Sequence, residues 1–328
     1  MLPKFTYVRP DKLNDTVKHL GTPGAAVHAG GTDLLGCLRE GILDVDKLVS
    51  LSALPDLYGI RENAEGGLTI GALNTITQVS ESEPVRKKYP GLAQGASEVA
   101  SPQLRNQGTI GGNLCQKPRC WYYRGEFRCL RKGGDTCYAL AGEHQFHAIF
   151  GHDRICLITH PSDTAPPLIA FGAKVRTIGP DGKRRIPVEH LHVLPAENAQ
   201  AETVLKPAEV ITHIELPRPP KNLHSAYRKV RARRSWDFAL AGAAFALEME
   251  GDRVKNGRVV LSGAAPVPWR SQAVEEVLRG RQLNDATIGE AAQAVLEGAE
   301  PLPGNSYKLD LFKGVMQEEL QAIRNAVI

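Results

Sequence analysis

Five of the chain's six cysteines fall between Cys115 and Cys156, and this crowding constrains the fold more than any other feature. Their spacing is C-x4-C-x8-C-x7-C-x18-C, over Cys115, Cys120, Cys129, Cys137 and Cys156. Disulfide-stapled scaffolds are short secreted chains, whereas this one has 328 residues, so the cysteines point to a metal site. No C-x2-C pair occurs, which matches neither a zinc ribbon nor a bacterial ferredoxin run. Between Gln116 and Lys132, six basic residues (Lys117, Arg119, Arg124, Arg128, Arg131, Lys132) stand against one acid, Glu126. Cationic neighbours lower thiolate pKa values and favour an anionic metal–thiolate cluster. On spacing alone an iron–sulfur cluster and a zinc ion both stay open, as does a solvated basic loop with free cysteines. A nucleic-acid surface would stack bases on Trp121, Tyr122 and Tyr123. It leaves the cysteines without a role, and a net charge of +4 is too small to imply nucleic acid.

The cysteine loop follows directly on a glycine turn, Gly108-Thr109-Ile110-Gly111-Gly112-Asn113. An earlier one, Gly30-Gly31-Thr32-Asp33, lies between the apolar run Ala25–Ala29 and a helical pattern. A strand–glycine turn–helix unit lets backbone N–H groups converge on a phosphate. The pattern is not G-x-G-x-x-G, so a Rossmann fingerprint is not supported. One such turn is equally a plain tight connection. Two of them, without a Walker lysine motif, suggest a ligand with two phosphate-side contacts, and FAD is such a ligand.

Hydrophobic content of 42% and charged content of 23% are those of a globular protein, which sets aside disorder, collagen and coiled coil. No apolar run reaches the roughly 18 residues of a membrane span. The first residues, MLPKFTYVRPDKL, lack a signal peptide's apolar segment, so no secretion signal is expected on this chain. Strands are expected at Phe5–Pro10, Asp46–Ser52, Cys156–His160 and Glu209–Pro220, with hairpins at Leu57–Leu73 and around Pro180-Asp181-Gly182. Helices are expected at Asp11–Leu20 (capped by Asp11), Thr75–Ser82 and Pro84–Val99, and from Pro161 with Asp163 in the first turn. After a proline-rich linker ending at Pro220, three strands (224–233, 238–250, 257–266) and three helices (271–280, 285–298, 306–328) form an α+β module. His144, His147 and His152 resemble a metal cluster in a loop, with solvation as the plain alternative. His160 reads as a packing or capping residue and Cys37 as a small core residue. Trp236 and Asp237 are candidate cavity walls, although a strand tryptophan more often packs. Arg231, Arg233 and Arg234 form either a docking surface for a partner or an exposed strand face.

At AGGTDLL, ASPQLRNQGTIGGNL, HPSD and YRKVRARRSWDFA the chain resembles the FAD-binding middle subunit of the molybdenum hydroxylases, over nearly its whole length. That group includes xanthine dehydrogenase, aldehyde oxidoreductase, carbon monoxide dehydrogenase and 4-hydroxybenzoyl-CoA reductase. The cysteine insert looks most like that of the [4Fe-4S]-bearing flavin subunit of bacterial periplasmic aldehyde oxidoreductase. The resemblance implies an α+β chain: an FAD-binding domain of the PCMH/vanillyl-alcohol-oxidase type in two subdomains (1–56 and 57–220, with an insert at 115–156), then a carbon monoxide dehydrogenase flavoprotein-like domain (221–328) of three strands plus helices. It implies that Val27, His28, Ala29, Gly30, Gly31, Thr32, Asp33 and Leu34 wrap the FAD pyrophosphate, and that Thr109, Ile110, Gly111, Gly112 and Asn113 form a second cradle. Asp163 would bind sugar or ribityl hydroxyls, Ile211 would pack near the isoalloxazine, and Lys229 would sit at the flavin's polar edge. A cation there favours reduced, anionic flavin. Cys120, Cys129, Cys137 and Cys156 would hold the [4Fe-4S] cluster, with Cys115 as a spare or as a replacement for one of them. No catalytic residue is assigned.

The implied role is electron transfer within a heterotrimer. A large subunit would carry molybdopterin and a small one two [2Fe-2S] clusters, with oxygen, a quinone, ferredoxin or NAD as external acceptor. The complex would be cytoplasmic, or periplasmic by co-export with a signal-bearing partner. A xanthine dehydrogenase-like or 4-hydroxybenzoyl-CoA reductase-like flavin subunit is the nearest alternative. A stand-alone flavoenzyme and a zinc-stabilised nucleotide-binding protein without redox activity are the others. The flavin motifs show no acid/base pair beside them to support the former.

Overall fold

The computed structural model describes residues 2–327, so Met1 and Ile328, the last residue of the expected final helix, lie outside it. Three sheets organise the chain. The first is parallel, with β1 (Thr6–Val8), β2 (Ala25–His28) and β3 (Lys47–Ser50) in the order β1-β3-β2. The second is antiparallel, with β4 (Ile60–Glu62), β5 (Leu68–Gly71), β6 (Lys174–Gly179), β7 (Gly182–Pro187) and β8 (Val210–Leu216) in the order β4-β5-β8-β6-β7. The third holds β9 (Leu223–Val230), β10 (Ala241–Glu250), β11 (Arg253–Ser262) and the short β12 (Trp269–Arg270), also antiparallel. That sheet therefore has four strands rather than three. Two residues of β12 are too few for a periodic pattern to show.

The third sheet is buried on both faces, which explains the unbroken small-apolar run of β10. Ala244 and Ala246 face the core built on the second sheet and the helices between 76 and 97. Ala243, Phe245 and Leu247 face the other core, under helices Gln272–Leu278, Asp285–Ala294 and Lys308–Val327. Alternation with period two assigns them to opposite sides.

Several expected elements shift for local reasons. The single helix expected over Pro84–Val99 splits into Glu83–Lys88 and Pro90–Ser97, because the residue before a proline is driven out of the α region and Tyr89 sits at φ −139°. The first helix starts at Leu13 without a cap from Asp11. The helix expected from Pro161 runs over Ala165–Ala170, with Pro166 and Pro167 in its first turn, where no N–H is needed. Ser162 Oγ accepts the Ala165 N–H at 3.0 Å, and Asp163 is left outside the helix. Cys156–His160 joins no sheet: the Leu157 carbonyl accepts from Ala148 N–H and the His160 N–H donates to the Ala265 carbonyl. Trp236 lies in a loop rather than a strand, at φ +52°, and its N–H donates to Ala100 at 3.0 Å.

The insert has no strand of its own and is fixed from outside. The buried Arg131 donates to Ala199 and Ala201 carbonyls, both at 2.8 Å, and pairs with Glu202 at 3.0 Å. On the other side Asn305 and Tyr307 donate to carbonyls of His147 and Gln145. No helix among the described residues is long and apolar enough to cross a membrane.

Candidate functional site

A cavity of about 730 Å³ opens where the first sheet, the second sheet and the insert meet. Val27, Ala29, Gly30, Gly31, Thr32, Asp33 and Leu34 line it from the first glycine turn, and Thr109, Gly111, Gly112 and Asn113 from the second, with Asp163 and Ile211 also on its wall. His28, Ile110 and Lys229 are not on the wall; Ile110 is fully buried in the core behind it. The two turns abut. A Cβ on Gly30 would come within 2.2 Å of the Gln107 carbonyl oxygen, and one on Gly111 within 2.9 Å of Ala72 Cβ. Gly31 adopts φ +72°, a left-handed value that glycine takes at little cost. The cavity thus has the volume and the side-chain-free cradle that a dinucleotide such as FAD requires.

Asp163 is buried and fully partnered. Tyr227 OH donates to one carboxylate oxygen at 2.7 Å and Lys229 Nζ to the other at 2.7 Å. Burial pushes the Asp163 carboxyl up, against the Lys229 and Tyr227 contacts that pull it down. Lys229, with a fully buried side chain, stands behind Asp163 and also donates to the Glu98 carbonyl at 3.0 Å. Its charge meets the cavity through Asp163. Asn113 Oδ1 accepts from Ser162 at 2.5 Å and Thr164 at 2.7 Å, which ties the second glycine turn to the segment carrying Asp163.

Asp33 serves the insert more than the cavity. Its carboxylate accepts the Lys117 backbone N–H at 2.7 Å, Arg124 at 2.7 Å and Arg119 at 3.0 Å. The root of the insert (Cys115, Gln116, Lys117, Arg119) consequently forms one wall of the cavity. Sequence reasoning did not assign that wall, nor Leu205 and Glu209 opposite. Only the direct succession of glycine turn and cysteine loop hinted at it.

Cys120, Cys129, Cys137 and Cys156 all face one void of about 10 Å³, together with His147 and Tyr122. Cys115 lies instead on the wall of the large cavity. All six thiols are free, and no group of three or more His, Cys, Asp or Glu among the described residues is set to hold a single metal ion. Of the basic residues only Arg131 acts on these four thiols as expected, pulling Cys156 down against its Cys137 neighbour and burial. Lys117 and Arg131 pair with Glu202, and Arg119 and Arg124 with Asp33. Burial pushes Cys120 up to about 11, while the neighbouring Cys156 thiol pulls Cys137 down. The three histidines are not a metal cluster. His152 Nε2 bonds the Glu300 carbonyl at 2.9 Å, His144 accepts the Gly304 N–H at 3.1 Å, and His147 Nε2 lies 3.2 Å from Cys120 Sγ. Nor are His147 and His152 solvated, as both are buried. His160 packs edge-on against His192 with ring centroids 4.1 Å apart.

Residues 3–219 match the family described as the FAD binding domain in molybdopterin dehydrogenase, and residues 225–320 the carbon monoxide dehydrogenase flavoprotein C-terminal domain. The chain is 37% identical to the aldehyde oxidoreductase FAD-binding subunit PaoB of Escherichia coli, over 98% of each chain. It is 27% identical to the carbon monoxide dehydrogenase medium chain of Hydrogenophaga pseudoflava, over 98% of this chain and 97% of that one. The solved carbon monoxide dehydrogenase structure from the same organism superimposes with a TM-score of 0.79 at 25% identity, covering both chains completely. Both domain matches and the end-to-end relative agree: the chain belongs to the FAD-binding medium subunits of the molybdenum hydroxylases, a family of oxidoreductase subunits.

Proposed function

We propose that this chain is the FAD- and [4Fe-4S]-binding electron-transfer subunit of a heterotrimeric, molybdenum-dependent aldehyde oxidoreductase. The observation that carries this reading is the convergence of Cys120, Cys129, Cys137 and Cys156 on one void beside a dinucleotide-sized cavity. End-to-end similarity to an aldehyde oxidoreductase FAD-binding subunit, higher than that to the carbon monoxide and xanthine dehydrogenase chains, supports the aldehyde assignment. The large cavity would hold FAD, with Val27, Ala29–Leu34, Thr109 and Gly111–Asn113 facing its pyrophosphate, Asp163 its hydroxyls and Ile211 its ring. Bound there, FAD supplies a store for two electrons between one-electron donors and an external acceptor. Asp163 is held in one orientation by Tyr227 and Lys229, so it orients the ligand without a cost of reorganisation. The insert root excludes water along one wall. The four cysteines supply thiolates for the cluster. Electrons arrive from a small subunit with two [2Fe-2S] clusters, and aldehyde is oxidised on a large molybdopterin subunit. The complex works in the cytoplasm or in the periplasm.

A UV–visible spectrum of the anaerobically purified protein, with iron, zinc and flavin assayed on one sample, tests the reading. Flavin bands over a broad shoulder near 400 nm, with about four irons per chain, are expected. Flavin with zinc and no iron would make the cysteine nest structural. A folded sample that neither contains nor takes up FAD overturns the proposal.

A further inference from the structure

Lys308 is the first residue of the long C-terminal helix, and its side chain is fully buried. Its ammonium donates to the Gly263 carbonyl at 2.8 Å and the Phe146 carbonyl at 3.2 Å. Among the described residues it has no carboxylate partner, and burial pulls it down to about 7. The positive end of the helix dipole adds to its charge. A buried cation ordinarily faces an anion, and this one has none of its own. His147 follows Phe146; it is buried, with Nε2 3.2 Å from Cys120 Sγ on the wall of the cysteine nest. Asn305 donates from Nδ2 to the His147 and Ala148 carbonyls, both at 3.2 Å. The C-terminal module thus grips the successive carbonyls of Phe146, His147 and Ala148, and holds the His147 ring against the nest.

The position of the His147 ring proton follows from its surroundings. Nδ1 is buried without a partner. A proton there would be an orphaned donor near the Lys308 charge, whereas on Nε2 it meets the Cys120 sulfur. The proton is therefore assigned to Nε2. His144 does not compete for this role, since its Nδ1 donates to the Ala139 carbonyl at 3.0 Å and its Nε2 accepts the Gly304 N–H.

We infer that His147 and Lys308 raise the reduction potential of the cluster held by the nest, His147 through an N–H bond to the Cys120 thiolate and Lys308 through its uncompensated charge. One electron makes a thiolate-bound cluster more negative without forming or breaking a bond. A donor on its sulfur and a cation nearby therefore favour the reduced form. Neither residue is a ligand; each acts on the group that the cysteines hold. The inference rests on the proposed function for the presence of that cluster.

The test is an anaerobic dithionite titration of the purified complex, with clusters followed by EPR and flavin by its visible spectrum. The signal that belongs to the nest is the one abolished by Cys129→Ser. His147→Leu removes the donor, Lys308→Met removes the charge, and His147→Gln keeps a side-chain N–H. Each of the first two should lower the reduced-to-oxidised ratio of that signal about tenfold at a fixed potential, a fall of about 59 mV for one electron. His147→Gln should recover most of the loss. The flavin midpoint should stay where it is, because neither residue lines the large cavity. Should Lys308→Met fail to fold, with two buried carbonyls left unpaired, the two His147 variants carry the test. A midpoint unchanged in either folded variant overturns the inference and leaves the proposed function standing. So does a shift in His147→Gln as large as that in His147→Leu, which would make packing the cause. If Cys129→Ser abolishes no signal from a folded, flavin-loaded complex, the nest holds no cluster, and that part of the proposed function falls together with the inference.

Discussion

Glu209 is a buried carboxylate on the cavity wall, and its surroundings fix its charge. Arg184 donates to both of its oxygens, at 2.8 and 2.6 Å, the Lys206 backbone N–H adds a third bond at 2.9 Å, and Thr177 donates its hydroxyl. Burial alone would raise the carboxyl pKa, yet these donors hold it at about 2, against the ordinary 4.5. Because the folded value is the lower one, the stabilisation is complete above the unfolded pKa and disappears as pH falls through the folded one. Glu209→Gln should therefore cost about 2–3 kcal/mol at pH 7, at 1.36 kcal/mol per pKa unit. Urea unfolding of both proteins across pH should show that gap intact down to about pH 5 and nearly closed at pH 2. A gap that stays constant over this range would mean that packing, not charge, is what the substitution removes. The same logic places Lys229 behind Asp163. A cation buried that deeply serves the carboxylate first, and sequence resemblance, which carries residues over singly, does not reveal that two of them form one unit.

At the scale of elements, the link that matters joins the first glycine turn to the root of the insert. Asp33 closes the turn, and three donors from residues 117–124 converge on it. Charge-assisted bonds of this kind are the strong ones. Asp33→Asn or Arg124→Gln should loosen the wall formed by Cys115–Arg119 and raise the FAD dissociation constant about 5- to 30-fold, equivalent to about 1–2 kcal/mol. The double variant should weaken binding little more than either single one, since both remove one contact. Equilibrium binding by flavin fluorescence measures all three, and full additivity would show that the residues act separately. This link was invisible in the sequence because its partners lie 84 and 91 residues apart. What was legible was local. Glycine turns and the hairpins at Gly66 and Gly182 are written in neighbouring residues. Pro90, Pro166 and Pro167 were readable too, but their effect on helix boundaries was misjudged.

For the whole molecule, the insert is the hub. It grips the parallel sheet's turn through Asp33, the second-sheet region through Arg131 and Glu202, and the C-terminal module through His144, His147 and His152. A loop without strands carries these contacts only while its shape is fixed, and four thiols around one void are its own means of fixing it. Cys129→Ser should then do more than remove one thiol. FAD retention and the thermal midpoint should fall together, because the wall of the cavity and the seat of the C-terminal module rest on one loop. Metal and flavin content measured beside a melting curve would show this, and a cluster-free variant that melts and binds FAD as the parent does would make the insert an ornament on a self-sufficient fold. Turnover separates the two roles that the proposed cluster could have. If it relays electrons, the folded variant loses rate with one-electron acceptors while it still reduces a two-electron acceptor; if it only clamps the loop, rates with both classes fall in proportion to lost FAD and return when FAD is supplied in excess. Unchanged turnover with every acceptor in a folded, cluster-free complex removes the relay.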